Sequence, residues 1–402
     1  MTETDKNKER LGVWLIGARG AISTCVAYGL AGLVEGLLEP VGLCTETVAL
    51  SGLDLCAFDD IVLGGCDVCE RTLTESAAEL EQHGLLSPAL ITGVAARAAR
   101  YEERIVPGVL DPADGIPVSA DPESERLGSL SSNEQVAAIT AALEAFRESA
   151  GASRVIVVNL ASSEAQRDGG AAWESLAAFE AAIDAGEPQP ASVLYAYAAL
   201  KAGHPFVNFT PSAGASIPAL RELAVAEGVP VAGNDGKTGE TLVKTVLAPM
   251  FSARALKVLA WQGYNMLGNR DGEVLEEPAH KAAKLENKDQ ALRELLSDDD
   301  LHSEVAIDFV PSLNDWKTAW DFIHFEGFLG AKMSMQFTWQ GSDSALAAPL
   351  ILDLVRLTDE AARAGHSGDL EHLACFFKAP LSGGTHDFHQ QHHRLLSYAA
   401  KS

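Results

Sequence analysis

The sequence predicts an α/β protein in which an α+β unit is inserted into a domain built on a parallel sheet, and three observations carry that reading. Residues 12–16 (GVWLI) form a short apolar strand that stops at Gly17-Ala18-Arg19-Gly20 and continues as a helical stretch over 21–35. Apolar runs over 155–160, 206–210 and 229–232 alternate with helical stretches, as strands buried on both faces of a parallel sheet do. Beyond Phe251 the pattern changes to alternating segments at 305–311 and 332–339, which read as antiparallel strands. A strand, a glycine turn and a helix at the head of such a sheet suit a dinucleotide pyrophosphate, so the first domain is expected to be Rossmann-type. The expected division is a first domain over 1–236, completed by 343–402, and an inserted α+β domain over 237–342.

Each element has its own justification. The turn at the head of the chain reads G-x-x-G-x-x-S, with Arg19 and Ile22 where the usual motif has glycines. Gly17, Ala18, Gly20, Ala21 and Ile22 are its candidate pyrophosphate contacts. Residues 41–44 read as a second strand ending at Glu46, an acid placed to hold a ribose hydroxyl. Residues 76–84 and 89–99 are helical, and the Pro/Gly/Asp/Ser-rich segment 106–132 is expected to be a long surface loop. Residues 134–148 are helical. The strand at 155–160 ends in Ala161-Ser162-Ser163-Glu164, and strand ends of this kind carry ligand contacts in open α/β sheets. Helices at 192–202 and 217–227 flank the strand at 206–210. Past Phe251, strands are expected at 257–261 and 264–267, a charged helix at 276–297 and another helix at 318–327. Asp343 is expected to cap a long apolar helix running to Leu357, and 370–377 returns toward the first domain as helix or strand.

The 402 residues are enough for two domains and a sizeable core. A net charge of −26 argues against unaided binding to nucleic acid or an anionic membrane, both of which need basic surface. The N-terminus is polar and no apolar run is long enough to span a bilayer, so a cytoplasmic protein is expected. Six cysteines in mostly apolar surroundings read as free thiols; Cys66-Asp67-Val68-Cys69 has the spacing of a metal knuckle but lacks a second ligand pair, and no metal ligand set is assigned. His386, His389, His392 and His393 read as a solvated helix face.

Against this acidic background the lysines are informative. None lies between Arg10 and Leu200, whereas nine of the thirteen fall between Lys237 and Lys378. The focus is the stretch 232–251, AGNDGKTGETLVKTVLAPMF. Its Gly-Asn-Asp-Gly turn leads into a helix with an apolar face, and Thr238 or Thr241 is placed to cap the first turn. Free amides, hydroxyls and a lysine at a helix start suit a phosphate. Lys284 and Lys288 share a helix face, where like charges repel unless an anion sits between them. Gathered ammonium groups also polarise a developing oxyanion and lower one another's pKa, which suits enolate chemistry on a sugar phosphate.

The combined segments resemble the inositol-3-phosphate synthase (myo-inositol-1-phosphate synthase) family, in its shorter prokaryotic and archaeal form. They are VWLIGARGAIST, VNLASSEA, LYAYAALKAGHPFVNFTPS, GNDGKTGETLVKTVLAPMF, YNMLGNRDG, SLNDWKTAWDF, SDSALAAPLILDL and FFKAPL, in family order over most of the chain. The resemblance implies that bound NAD oxidises the C5 hydroxyl of open-chain glucose 6-phosphate. Loss of a C6 proton then gives an enolate that attacks C1, and the same cofactor reduces the inosose. It implies that Thr238, Gly239 and Thr241 hold the substrate phosphate, and that Lys284, Lys288, Lys317 and Lys378 are the active-site lysines, Lys317 serving proton transfer at the C5 hydroxyl. It places Asp235, Asn265, Asp271 and Asp343 around the nicotinamide, the substrate and a divalent or monovalent cation, with Ala161 and Ser163 along the nicotinamide arm. A homotetramer assembled through the sheet of the inserted domain follows from the same likeness. Cys66 departs from the family, where a bulky aromatic or imidazole is usual. Two other readings stay open at this level: a cyclase acting on another sugar phosphate, such as a ketose phosphate, and a non-catalytic NAD-sensing scaffold.

Overall fold

The computed structural model describes residues 9–111, 119–268, 292, 294–296 and 301–401. Its larger sheet is built from β1 (Arg10–Ile16), β2 (Ile61–Asp67), β3 (Ile105–Pro107), β4 (Ala152–Asn159), β5 (Phe206–Asn208), β6 (Pro230–Ala232) and β11 (Gly368–Asp369). All seven are parallel, in the order β11-β6-β5-β4-β1-β2-β3. The chain runs outward from β1 through β2 to β3, then returns to lay β4 on the other side of β1. The order therefore reverses between β1 and β4, and a crevice opens there at the strands' carboxyl ends, where open α/β sheets bind ligands.

Both faces of this sheet are covered, which explains the continuous apolar runs. Val13 and Leu15 of β1 and Ile156 and Val158 of β4 point to one core, packed with α1 (Ala21–Val34), α3 (Pro88–Glu102) and α10 (Asp343–Arg363). Trp14, Ile16, Val155 and Val157 alternate to the other face, against α5 (Ser132–Ala150), α7 (Ala191–Lys201) and α8 (Pro218–Ala226). Between the covering helices lie α2 (Leu73–Gln82), α4 (Pro122–Gly128) and α6 (Leu176–Asp184), and α11 (Phe388–Ala399) closes the described chain.

The smaller sheet has the order β10-β9-β7-β8, from β7 (Lys257–Leu267), β8 (His302–Phe309), β9 (Trp316–Glu326) and β10 (Lys332–Ser342). Its inner face packs Val258, Trp261 and Ile323 on Ala248 and Phe251 of α9 (Glu240–Ala253). Its outer face carries Tyr264, Trp320, Phe322 and His324 in a row, with successive ring centroids 5.7, 6.4 and 6.3 Å apart. Among the described residues no helix is long and apolar enough to cross a membrane.

Several expectations are corrected. Residues 41–46 form turns and the single 3-10 turn Cys44–Glu46, and the second strand is β2. Gly42 has φ +89°, and the amides of Cys44 and Thr45 bond to the carboxylate of Asp353 at 2.8 and 3.0 Å, so a tertiary partner takes the groups a strand would use. The segment 318–327 is strand β9 and not a helix. Its two-residue period was obscured because Asp321, on the buried face with Ala319 and Ile323, is polar. The region 106–132 contains β3 and α4, the latter capped by Asp121 with Pro122 at its first position. Strand β8 is parallel to β7, not antiparallel, and 257–267 is one strand. Residues 371–376 make a 3-10 turn. Ser342, not Asp343, caps α10, its hydroxyl accepting the Ala345 amide at 3.0 Å.

Candidate functional site

The crevice at the β1/β4 reversal is lined first by the turn after β1. Gly17 has φ +82°, and a Cβ there would lie 3.0 Å from the Cα and N of Ala161, so only glycine lets the two turns approach. The amides of Gly17 and Ala18 both donate to the Cys66 carbonyl, at 2.9 and 3.0 Å, and the Tyr101 hydroxyl donates to the Ala18 carbonyl at 2.8 Å. The Arg19 amide donates to Asp67 at 2.7 Å, and the Ser23 hydroxyl to the Gly17 carbonyl at 2.7 Å. Helix α1 then starts at Ala21 with Gly20 as its cap, no side chain on its first amides and no acid in its first turn. Gly20 and Ala21 are exposed and Ile22 is half-buried. A clamped glycine turn delivering bare helix amides to an open crevice fits a dinucleotide pyrophosphate. Ala161 and Ser163 follow β4 on the facing turn, where the Ala161 amide donates to Asn159 at 3.2 Å.

Glu46 does not end a strand as expected: it lies on a 3-10 turn, and Arg356 donates to its carboxylate. The acid at the end of the true second strand is Asp67, which sequence reasoning missed. The signal was present in the apolar run ending Gly64-Gly65-Cys66-Asp67 at the edge of a turn. Cys66 itself is sealed beneath the turn, donating to the Tyr195 hydroxyl at 3.3 Å, and burial pushes its thiol up to about 12.

The second arm is the segment 233–237, held as the middle strand of an irregular ladder. On one side Asp235 and Gly236 donate to the carbonyls of Thr210 and Phe209, at 3.0 Å each. On the other, Asn234 and Lys237 donate to Ala379 and Phe376 at 2.8 Å each, and Lys378 donates back to the Asp235 carbonyl at 2.7 Å. Asp235, at φ 61°, directs its carboxylate to the Lys378 ammonium 2.8 Å away. Burial pulls that ammonium down, but Asp235, with Asp343 and Glu240 farther off, outweighs it, so its pKa sits above the ordinary lysine range.

Helix α9 begins directly after this ladder, with Gly239 as its cap and no side chain on its first amides; contrary to the expectation from sequence, neither Thr238 nor Thr241 caps it. Thr238 instead turns its hydroxyl to Asp343, donating at 3.4 Å. The ammonium of Lys317, on β9, lies 3.9 Å from the other oxygen of Asp343. Asp343 is the first residue of α10, so three elements meet at one carboxylate beside the α9 amides. Asn265, on β7, is 1 % exposed, and among the described residues neither of its amide atoms has a partner. Lys284, Lys288 and Asp271 lie outside the described residues.

Lys237 and Lys244, which the sequence places just before this helix and within it, have partners that the sequence did not show. Lys237 is buried, donates to Gln391 of α11 at 2.7 Å and lies 5.7 Å from the Phe388 ring centre; burial pulls its ammonium down to about 8. Lys244 lies 2.6 Å from Glu240 and 3.3 Å from Asp321, all three buried. The Cys66/Cys69 pair gathers no further ligand: among the described residues there is no group of three or more His, Cys, Asp or Glu able to hold a metal. Of the C-terminal histidines, His386 faces Glu294 at 3.2 Å and the other three ride on α11.

The fold and crevice define a Rossmann-type α/β enzyme scaffold with a lysine-bearing second sheet laid against its ligand-binding edge. Residues 11–399 match the NAD-binding family described as myo-inositol-1-phosphate synthase, and the chain belongs to that family. It is 32% identical over 419 residues to inositol-3-phosphate synthase 1 of Bacteroides thetaiotaomicron, covering 96% of this chain and 92% of that protein. It is 26% identical to isozyme 1 of Arabidopsis thaliana, covering all of this chain and 81% of that one. The fold is similar to the crystal structure of inositol-3-phosphate synthase from Caenorhabditis elegans, with a TM-score of 0.85 at 22% identity over 98% of this chain and 86% of that one. It is also similar to a myo-inositol-1-phosphate synthase-related protein from Thermotoga maritima, with a TM-score of 0.79 at 23% identity over 98% and 99% of the two chains.

Proposed function

We propose that this chain cyclises D-glucose 6-phosphate to 1D-myo-inositol 3-phosphate with NAD as a retained cofactor. The observation that carries the reading is the meeting of Thr238, Lys317 and Asp343 beside the bare amides of α9, in a member of this family. The substrate phosphate rests on the Thr238–Gly239–Thr241 turn, where helix amides favour an anion. Lys317 exchanges the proton of the C5 hydroxyl, with Asp343 holding its ammonium in place. Lys378, fixed by Asp235, and the Lys284 and Lys288 ammonium groups stabilise charge at O5 and then O1. Asn265 offers its unpartnered amide to a substrate hydroxyl. NAD, when bound, supplies reversible hydride transfer. Gly17, Ala18, Gly20, Ala21 and Ile22 would hold its pyrophosphate, Asp67, in place of Glu46, its ribose, and Ala161, Ser163, Asp235 and Asp271 its nicotinamide arm.

The same reading takes 237–342 as the inserted catalytic domain, a homotetramer assembled through the smaller sheet, a cation near Asp343 and a cytoplasmic enzyme. The deciding experiment incubates the purified protein with NAD and D-glucose 6-phosphate and follows the product by phosphorus and proton NMR. Inositol phosphate is the expected product. Turnover of a ketose phosphate in place of glucose 6-phosphate would assign another cyclitol, and reaction with neither sugar class would overturn the reading.

A further inference from the structure

Lys244 takes no part in the chemistry above, yet it is among the most enclosed charges of the molecule. Its side chain leaves the second turn of α9 and ends between two carboxylates, Glu240 at 2.6 Å and Asp321 at 3.3 Å. Exposures are 3 % for Lys244, 1 % for Glu240 and 0 % for Asp321. The Trp261 indole, on β7, donates to Asp321 at 2.7 Å. Strand β7 passes so close that a Cβ on Gly263 would lie 2.9 Å from both the Lys244 ammonium and a Glu240 oxygen. Side chains or backbone from α9, β7 and β9 thus converge on one ammonium.

A buried ion cluster of this kind is a poor way to gain stability, because apolar residues of equal volume serve as well or better. What it does supply is register. Asp321 and Lys317 lie on the same face of β9, four residues apart, with the fully buried Ala319 between them. Helix α9 is therefore tied to that strand at two points: Thr238 through Asp343 to Lys317, and Glu240 through Lys244 to Asp321.

The geometry points to Lys244 as a positioning residue, clasping Glu240 and Asp321 so that the first turn of α9 stays aligned with Lys317. The inference rests on reading that turn as the phosphate site. Without the ammonium, two buried carboxylates face each other and the turn carrying Gly239 and Thr241 moves off β9.

The test compares wild type with Lys244→Met, and with Asp321→Asn, which keeps volume and the Trp261 acceptor and serves where Lys244→Met does not fold. Inorganic phosphate affinity, NAD affinity and steady-state kinetics with glucose 6-phosphate are measured. A rise of tenfold or more in KM and in the phosphate Kd, with NAD affinity unchanged, is expected in either variant. A lowered melting temperature with KM and phosphate Kd unchanged would make the cluster merely structural and overturn the inference, leaving the proposed activity intact. Loss of phosphate affinity in the variants of a protein that does not turn over glucose 6-phosphate would sustain the clasp and reject the activity. Absence of phosphate binding in wild type would reject both.

Discussion

Asp343 receives Thr238 on one oxygen and faces Lys317 with the other, so a single carboxylate orients the hydroxyl of the proposed phosphate turn and the ammonium of the opposing strand. Lys317→Met is accordingly expected to lower kcat by about 10²–10⁴-fold, the usual worth of a positioned proton-transfer group, while NAD affinity is retained; wild-type product formation at saturating substrate would contradict its role. A second residue speaks through pH. Burial, with His366 nearby, pulls the His372 imidazole down to about 4, while its ring stacks on Tyr398 of α11 at 3.8 Å. The folded-state pKa lies below the unfolded one, so between about 6.5 and about 4 the unfolded chain binds more protons. His372 therefore adds nothing above about pH 6.5 and costs stability as pH falls toward 4, by up to about 3 kcal/mol at 1.36 kcal/mol per unit. His372→Phe keeps the stacking and should flatten the acid limb of a melting-temperature profile between pH 6.5 and 4; an unaltered limb would refute the assignment. Motifs single out Gly17 and Thr238 in the sequence, and the structure puts Gly17 on the left-handed turn after β1 and the Thr238 hydroxyl on Asp343 instead of on the helix it was expected to cap. Asp67 is not singled out by the sequence, because an acid at the end of the second strand is found only once that strand is placed, and β2 begins at Ile61, twenty residues beyond the expected start at Val41.

At the scale of elements, strands buried on both faces were the easiest to read, since β1, β4 and β5 carry unbroken apolar runs at 13–16, 155–158 and 206–207 that feed both cores. What escaped was set by partners distant in sequence. Strand β9 hides its period behind Asp321, which is explicable only once Lys244 and Trp261 are placed against it. Residues 41–46 give up their strand character to the carboxylate of Asp353, some 309 residues away. The turn between β1 and α1 offers a clean test. Gly17→Ala would force both a left-handed backbone and a contact with the Ala161 backbone at 3.0 Å. The expected result is a loss of about 1–3 kcal/mol in stability and at least a tenfold weaker NAD affinity by fluorescence titration. Unchanged cofactor binding would remove the turn from the proposed site.

At the scale of the whole molecule, a net charge of −26 makes self-repulsion a general term in stability. Raising sodium chloride from about 0.1 to about 1 M shortens the screening length from about 10 to about 3 Å and should raise the melting temperature; a fall would show that attractive pairs dominate instead. The outer aromatic row of Tyr264, Trp320, Phe322 and His324 is the face on which the proposed tetramer depends. Sedimentation should give a tetramer for wild type and smaller species for Trp320→Glu, whereas a monomeric wild type would dismiss the assembly. The ladder that holds residues 233–237 has a consequence for how the protein is made. One of its rails, at 209–210, precedes the turn, but the other, at 376–381, is translated some 140 residues later. Asp235 and Lys378 can therefore meet only after a ribosome has added the residues between them, so the proposed sugar site stays incomplete until the later rail has paired with the earlier one.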